Sequence, residues 1–100
     1  MTPLSIVFTL PAQEDLNDPW DSRLLRGRDQ AQKALDMMLA RMADLAEFPE
    51  MGRQRDDLLK QLRSLPCLDR IMFYKVEADT LLILRVMHER RDALSEDFDL

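Results

Sequence analysis

The side chains that could carry out acid–base, nucleophilic or metal chemistry are few in this sequence. It has one histidine, His88, and one cysteine, Cys67, which together cannot supply the four ligands of a structural zinc site. A serine nucleophile would need His88 as its base, but no serine lies in a nucleophile-elbow context. The two glycines are too few for a phosphate-binding loop or a dinucleotide fingerprint. We therefore expect no metal and no cofactor, and the residues alone identify no catalytic centre.

Length and composition bound the class of protein that must position these residues. The chain has 100 residues, of which 46% are hydrophobic and 33% charged, and this fits one globular domain over residues 1–100. Its uninterrupted apolar runs, such as Leu81 to Leu84, are far too short to span a membrane. The apolar start has no Lys or Arg before it and is a poor signal peptide. We expect a domain with no membrane partner.

The net charge of −5 is unevenly distributed along the chain. Residues 1–50 carry −4, residues 51–91 carry +3 and residues 92–100 carry −4. The total disfavours a general polyanion binder, so direct nucleic-acid binding is not expected. The middle segment nevertheless leaves room for a local basic surface, with the acidic excess on the helices and the tail, away from that surface.

The first half of the chain predicts a strand followed by two helices. Leu4 to Thr9 is short, uncharged and rich in β-branched residues, as strands are. Pro11 suits the first position of a helix, and a restart is expected at Asp18-Pro19, with Trp20 as a core anchor. Residues 29–47 carry apolar side chains at i, i+3, i+4 and i+7, which predicts an amphipathic helix that pairs with the first as a helical hairpin.

The second half predicts three strands. They are Leu59 to Leu65, ended by Pro66, then Arg70 to Val76, then Leu81 to Met87, with a turn at residues 77–80. Residues 53–57 fit either a loop or a short turn of helix, and residues 93–100 form an acidic tail that is a short helix or a disordered end. The order β-α-α-β-β-β indicates an α+β domain: an N-terminal strand and a helical hairpin on a three-stranded antiparallel β-sheet, with its core in residues 4–92.

Four short segments of the second half occur in a specific order. They are Phe48-Pro49-Glu50-Met51-Gly52-Arg53, Leu62-Arg63-Ser64, Ile71-Met72-Phe73-Tyr74-Lys75-Val76, and Ile83-Leu84-Arg85-Val86-Met87-His88 with Arg90-Arg91-Asp92. In order and spacing they resemble the ParE/RelE toxin superfamily of bacterial type II toxin–antitoxin modules. The resemblance covers residues 4–92 and implies the same fold. It also implies a cytoplasmic toxin that an antitoxin neutralises in a toxin–antitoxin hetero-oligomer.

The resemblance is nearer to the ParE branch, whose members poison DNA gyrase by binding it. It is carried by the turn from Pro49 to Arg53, by Leu62-Arg63-Ser64 and by the segment from His88 to Asp92. This implies DNA gyrase as the target and a ParD-like antitoxin as the partner. The alternatives are a RelE-like endonuclease that cuts mRNA in the ribosome, and an inactive interaction module.

An mRNA endonuclease would need a base, a proton donor and cations for the phosphorane charge. The RelE-like interpretation assigns such roles to four residues, Arg63, His88, Arg90 and Arg91. Against it, Glu89 follows His88 where relatives often carry an aromatic residue. The net charge of −5 also disfavours binding to ribosomal phosphates. For a gyrase poison no catalytic residue is assigned.

The residues expected to contact a partner lie on or near the predicted strands and are mostly cationic. They are Arg63, Tyr74, Arg85, His88, Arg90 and Arg91. An amphipathic, partly acidic peptide would complement strand-borne arginines beside an apolar groove, which Tyr74 is expected to line. Structural alternatives stay open for three of them. Arg63 could pair with Asp69 or Glu77, Arg85 could form a structural ion pair, and His88 could be satisfied by hydrogen bonds.

Overall fold

Two helices and five strands make up the parts of the chain that the structure describes. This computed structural model describes residues 2–17 and 27–98. The elements are β1 (Ser5–Phe8), α1 (Leu10–Leu16), α2 (Arg28–Glu47), β2 (Arg53–Gln54), β3 (Arg63–Cys67), β4 (Arg70–Glu77) and β5 (Thr80–His88). Single 3-10 turns lie at Pro49–Met51 and Ser95–Phe98. The predicted helix restart at Asp18-Pro19 and the core role of Trp20 lie outside the described residues.

The strands form one mixed sheet in the order β1-β5-β4-β3-β2. From β2 to β5, neighbouring strands are antiparallel, whereas β1 pairs with β5 in parallel, with Ser5 opposite Thr80 and Phe8 opposite Ile83. The predicted α+β class is therefore confirmed, but a three-stranded antiparallel sheet understates the architecture. β1 and β2 add one strand to each edge, and β1 does so through a partner that is remote in sequence.

The third strand of the sheet departs from the prediction in its bounds. β3 covers Arg63–Cys67, so the strand predicted at Leu59 to Leu65 begins later and continues through Pro66. A proline is tolerated there because β2 pairs only with Arg63 and Ser64, which leaves the edge of β3 unpaired at Pro66. Residues 53–57, expected as a loop or a turn of helix, begin instead with the two-residue strand β2.

The sheet carries an apolar cluster on each face. On one face, buried side chains of α1 and α2 pack against alternate residues of β4 and β5. This cluster includes Met42 and Leu45 of α2, Met72 and Tyr74 of β4, and Ile83 of β5. On the other face, the cluster contains Leu62, Phe73, Leu84, Met87 and Phe98. The alternation of Met72 and Phe73 between the two clusters follows from the two-residue period of a strand. No helix in the described ranges is both long and apolar enough to cross a membrane.

The tail belongs to the second cluster. Phe98, in the last 3-10 turn, is 3% exposed, and its ring centroid lies 4.9 Å from that of Phe73 in a tilted arrangement. A core limited to residues 4–92 is therefore too short, because Phe98 of the acidic segment packs against Phe73 of the sheet. The acidic composition of residues 93–100 does not indicate that Phe98 is buried. Burial of its side chain favours docking of the tail onto the sheet by about 2 kcal/mol.

Helix α1 covers the open edge of β5 where β1 ends. The Thr9 N–H donates to the Ile83 carbonyl at 3.1 Å, and the Thr9 hydroxyl donates to the Leu84 carbonyl at 2.8 Å. One helix length further, the Val86 N–H donates to an oxygen of Asp15 at 2.9 Å. Backbone groups that a longer β1 would have paired are thus satisfied by α1, as buried polar groups must be.

A bulge on β5 sets the direction of the next side chain. Phe73 lies opposite Arg85, but Tyr74 lies opposite Ile83, so Leu84 is an extra residue on β5. An extra residue bends a strand and re-aims the side chains beside it. Here the guanidinium of Arg85 meets the carboxylate of Asp15 on α1.

Candidate functional site

Arg63 on β3 lines an open pocket of about 390 Å³. The 3-10 turn after α2, strand β2 and the loop before β3 form its walls, with Glu50, Gln54, Asp56 and Gln61 among the lining residues. Nη1 of Arg63 donates to two backbone carbonyls of the turn, at 2.8 Å to Gly52 and at 3.3 Å to Glu50. Neutral carbonyls therefore hold the guanidinium, and no carboxylate of residues 2–17 or 27–98 forms an ion pair with it.

The ion pairs considered for Arg63 do not form. Asp69 lies near Arg70, at 3.9 Å, and near His88, at 3.6 Å. Glu77 pairs with Lys75 at 2.7 Å. The cation of Arg63 is thus available to a ligand in the pocket, although Glu50 and Asp56 give the walls some negative charge.

Tyr74 on β4 is buried directly behind this pocket. Its hydroxyl donates to the Pro49 carbonyl at 2.7 Å and accepts from the Gly52 N–H at 2.9 Å, so it joins the two ends of the 3-10 turn. Burial raises the pKa of the Tyr74 hydroxyl above its usual value, while the Gly52 N–H and the charge of Arg63 oppose that shift. The expectation that Tyr74 lines an open groove is wrong, because its side chain is 0% exposed.

Gly52 is required by this contact. A Cβ atom at position 52 would overlap the Tyr74 hydroxyl and would lie 2.7 Å from Cε1 of the ring. No side chain larger than hydrogen fits there without moving the ring or the turn. The turn, Tyr74 and the carbonyls that hold Arg63 therefore form one connected unit.

Arg85 on β5 is held by carboxylates. Nε and Nη2 donate to the two oxygens of Asp15 at 2.7 Å and 2.9 Å, and Nη1 lies 3.7 Å from Asp97. The two-pronged contact with Asp15 raises the pKa of the Arg85 guanidinium further above its usual value, against the effect of burial. The structural ion pair considered for Arg85 is therefore present. The contact of Arg85 with a partner stays a prediction.

Asp97 brings the tail onto the same arginine. Its carboxylate accepts from Nη2 of Arg91 and from the Leu94 N–H, at 2.7 Å and 2.9 Å, and its side chain is 13% exposed. The expectation that the acidic excess stays away from the basic sheet surface is wrong, because Asp15 and Asp97 both reach Arg85. Arg91 itself is half exposed and shares Asp97 with Arg85.

His88 ends β5 with contacts at both ring nitrogens. Nδ1 accepts from the Arg90 N–H at 3.1 Å, and Nε2 lies 3.6 Å from Asp69. The alternative of a hydrogen-bonded strand-end histidine is therefore present, and the Arg90 side chain is exposed. Roles of His88 and Arg90 in partner contact stay predictions.

The candidate residues are spread over the sheet. Arg63 lies opposite Tyr74, whereas His88 lies opposite Arg70. Arg70 comes four residues before Tyr74 on β4, a distance of about 13 Å by the rise of a strand. Arg85 and Arg91 meet at Asp97, and neither arginine is among the residues that line the pocket of Arg63. Within the described ranges, no three His, Cys, Asp or Glu side chains come together as metal ligands. Arg63, His88 and the Arg85–Arg91 pair are therefore separate potential contacts for a partner and do not form one common site.

Sequence reasoning missed three parts of this arrangement. The sequence does not connect Asp15 and Asp97 with Arg85, nor the carbonyls of Glu50 and Gly52 with Arg63. The only available signal was the Pro-x-x-Gly pattern of that turn, which marks a break after α2 but does not show what its carbonyls bind.

Comparison with solved structures identifies the fold. The chain is similar to a chain of the chromosomal ParDE toxin–antitoxin system of P. aeruginosa, with a TM-score of 0.71, 23% identity, and coverage of 85% of this chain and 95% of that one. It is also similar to a chain of the RelBE2 toxin–antitoxin complex of Mycobacterium tuberculosis, with a TM-score of 0.58, 24% identity, and coverage of 87% and 99%. The fold is that of ParE- and RelE-like toxins.

The family follows from the sequence match. The family described as ParE toxin of the type II toxin–antitoxin system, parDE, matches residues 6–93, and the chain belongs to this family. The resemblance carried by the four short segments is thereby confirmed. Among curated proteins, none matches significantly.

Proposed function

We propose that this chain is the toxin of a type II toxin–antitoxin module, that it inhibits DNA gyrase in the cytoplasm by binding to it, and that a ParD-like antitoxin neutralises it. The match of residues 6–93 to the ParE toxin family carries the proposal. The similar P. aeruginosa structure is itself a ParDE system, which supports an antitoxin of the ParD kind.

The contacts that the arginine and histidine side chains already make favour a binding function over RNA cleavage. Cleavage of RNA needs cations aimed at one phosphorane and a proton donor beside it. Arg85 and Arg91 already hold Asp97, and the ring nitrogens of His88 are both in contact with other groups. The separation of Arg63 from His88 along β4 also disfavours a shared phosphate.

Arg63 is the proposed anchor for a protein partner. Its guanidinium is held in place by carbonyls, so little side-chain entropy is lost on binding. Phe48 precedes the same turn, Met51 lies within it, and the two residues are 61% and 43% exposed. A partner segment that places a carboxylate on Arg63 and apolar side chains on this rim would use both features. Arg90 is proposed as an exposed peripheral contact.

A supercoiling assay with purified bacterial DNA gyrase tests the proposed target. The chain is expected to inhibit supercoiling or to trap cleaved DNA complexes, and the antitoxin encoded beside it is expected to relieve the inhibition. His88→Ala is expected to keep inhibition within about threefold of the wild type, because a binding mechanism needs no proton transfer.

The competing activity gives a different pattern. An mRNA endonuclease would leave supercoiling unchanged, would cut ribosome-bound mRNA, and would lose that activity in His88→Ala. That combination would overturn the proposed target. Expression of the wild-type chain without growth arrest would identify an inactive interaction module instead.

A further inference from the structure

Among residues 2–17 and 27–98, the buried hydroxyl of Tyr74 forms hydrogen bonds only with backbone groups of one turn. It donates to the Pro49 carbonyl at 2.7 Å and accepts from the Gly52 N–H at 2.9 Å, while the ring packs in the cluster between the helices and the sheet. Phenylalanine would fill nearly the same volume. What the hydroxyl adds is therefore a link between the core and the turn at residues 49–52.

The same turn holds the guanidinium of Arg63. The Gly52 residue that donates its N–H to Tyr74 also offers its carbonyl to Nη1 of Arg63 at 2.8 Å, and Glu50 offers a second carbonyl at 3.3 Å. Arg63 and Tyr74 lie opposite each other on β3 and β4. A shift of the turn would therefore move both acceptors of Arg63 together.

We infer that Tyr74 is a positioning residue: by fixing the turn at residues 49–52, it aims Arg63 into the pocket, so that a protein partner depends on a side chain that it does not touch. The inference rests on the proposed function in one respect, the contact of Arg63 with the antitoxin. It changes the expected role of Tyr74 from direct contact to indirect support.

Gly52 supports the inference from the other side of the contact. The Cβ of any other residue would overlap the Tyr74 hydroxyl and approach Cζ of the ring to 2.8 Å. The sequence thus keeps the backbone free of a side chain at the point where Tyr74 meets the turn.

A double-mutant cycle with Tyr74→Phe and Arg63→Met tests the coupling. The measured quantity is the dissociation constant of the complex with the antitoxin encoded beside the toxin. Tyr74→Phe removes both hydrogen bonds of the hydroxyl and is expected to weaken binding by about fivefold, because the released turn no longer holds Arg63 in place. In the Arg63→Met background, the same change is expected to alter binding by less than twofold, because the guanidinium to be positioned is gone.

A matched core variant separates positioning from stability. Ile83→Val removes one methylene from a side chain with 0% exposure in the same cluster, which lowers stability by an amount similar to the loss of a hydrogen bond. It is expected to leave affinity for the antitoxin within twofold. Equal losses for Tyr74→Phe in both backgrounds, or equal losses for Ile83→Val and Tyr74→Phe, would overturn the positioning role.

The tyrosine itself provides a second readout that needs no partner. The chain has one tyrosine, so the tyrosinate absorbance of the folded protein reports Tyr74 alone. Arg63→Met is expected to raise the pKa of Tyr74, because the positive charge of Arg63 lowers it in the wild type. An unchanged pKa would show that Arg63 is not held beside the turn, and would overturn the inference even if Tyr74→Phe did not fold.

The target and the positioning role can fail independently. If the wild type leaves gyrase supercoiling unchanged but the cycle with the antitoxin shows the coupling, the gyrase proposal is wrong and the role of Tyr74 is supported. If gyrase is inhibited but the cycle shows no coupling, the role of Tyr74 is wrong and the target is supported.

Discussion

Arg63 and Arg85 lie on the same sheet, but the fold treats their charges differently. Arg85 meets both oxygens of Asp15 and approaches Asp97, whereas Arg63 meets only backbone carbonyls among the described residues. Both guanidinium groups are oriented, yet only the charge of Arg85 is compensated within the fold. The comparison shows that carboxylates compensate the charge of Arg85 whereas neutral carbonyls only orient Arg63. On the proposed function, this difference reserves Arg63 for a partner.

The largest expected effect is the loss of stability when the charge of Arg85 is left without its carboxylate. Asp15→Ala leaves a mostly buried guanidinium without its main partner and the Val86 N–H without its acceptor. The free energy of unfolding is expected to fall by about 3 kcal/mol, measured by urea denaturation. Asp44→Ala is the matched control, since its pair with Arg41 is exposed at 56% and 48%, and it should change stability by about 0.5 kcal/mol or less. Similar losses for the two variants would contradict the comparison.

The next effect separates binding from stability. Arg63→Gln should weaken the antitoxin complex about tenfold, or about 1.4 kcal/mol, and lower the unfolding free energy by about 1 kcal/mol or less. Arg85→Gln should show the reverse, with a large loss of stability and affinity within about threefold. Calorimetric binding and urea unfolding of both variants measure the contrast. If folded Arg85→Gln loses more affinity than Arg63→Gln, the two arginines have been given the wrong roles.

A smaller effect concerns alkaline pH at the turn beside Arg63. The folded state raises the pKa of Tyr74 above the unfolded value of about 10, so the folded state holds this proton more tightly. The resulting stabilisation is present below that pH and is lost as pH rises through the folded pKa, with a limiting slope of about 1.4 kcal/mol per pH unit. Tyr74→Phe should lack this part of the alkaline decline. Parallel pH profiles for the two proteins would refute the assignment.

The smallest expected effect is on the exposed ion pair between Arg91 and Asp97. Arg91 is 51% exposed where it meets Asp97, so Arg91→Gln should lower the unfolding free energy by only about 0.5 kcal/mol. High salt should remove most of that difference. A loss above about 1.5 kcal/mol that persists in salt would mean that Asp97 is held in place mainly by Arg91 and not by Arg85.

The sequence predicts the helices and strands in which apolar residues recur at a regular spacing along the chain. The helix at 29–47 and the strands from Arg70 and Leu81 match α2, β4 and β5 within one or two residues. The spacing of buried side chains determines these elements directly. The two-residue strand β2 has too few residues to show a period, and Pro66 suggested an end to β3 that the unpaired edge does not require.

The candidate site was predictable in residue type but not in electrostatic state. Arg63 and Arg85 both lie on strands and each follows a leucine. Their difference depends on Asp15, which is separated from Arg85 by 70 positions, and on carbonyls of a turn that a periodic pattern does not describe. Burial of Tyr74 likewise depends on how the turn at residues 49–52 closes over β4, a tertiary contact between residues 22 positions apart.

The parallel pairing of β1 with β5 has a consequence for how the chain acquires its fold during synthesis. Thr9 and Leu84, whose contact continues that pairing, are 75 residues apart, so β1 leaves the ribosome long before its partner strand exists. Closing so long a loop is slow relative to forming the β4–β5 hairpin. The uncharged strand β1, which is rich in β-branched residues, therefore stays unpaired while the rest of the sheet assembles. This interval is when the nascent toxin is most exposed to aggregation or to capture by a chaperone.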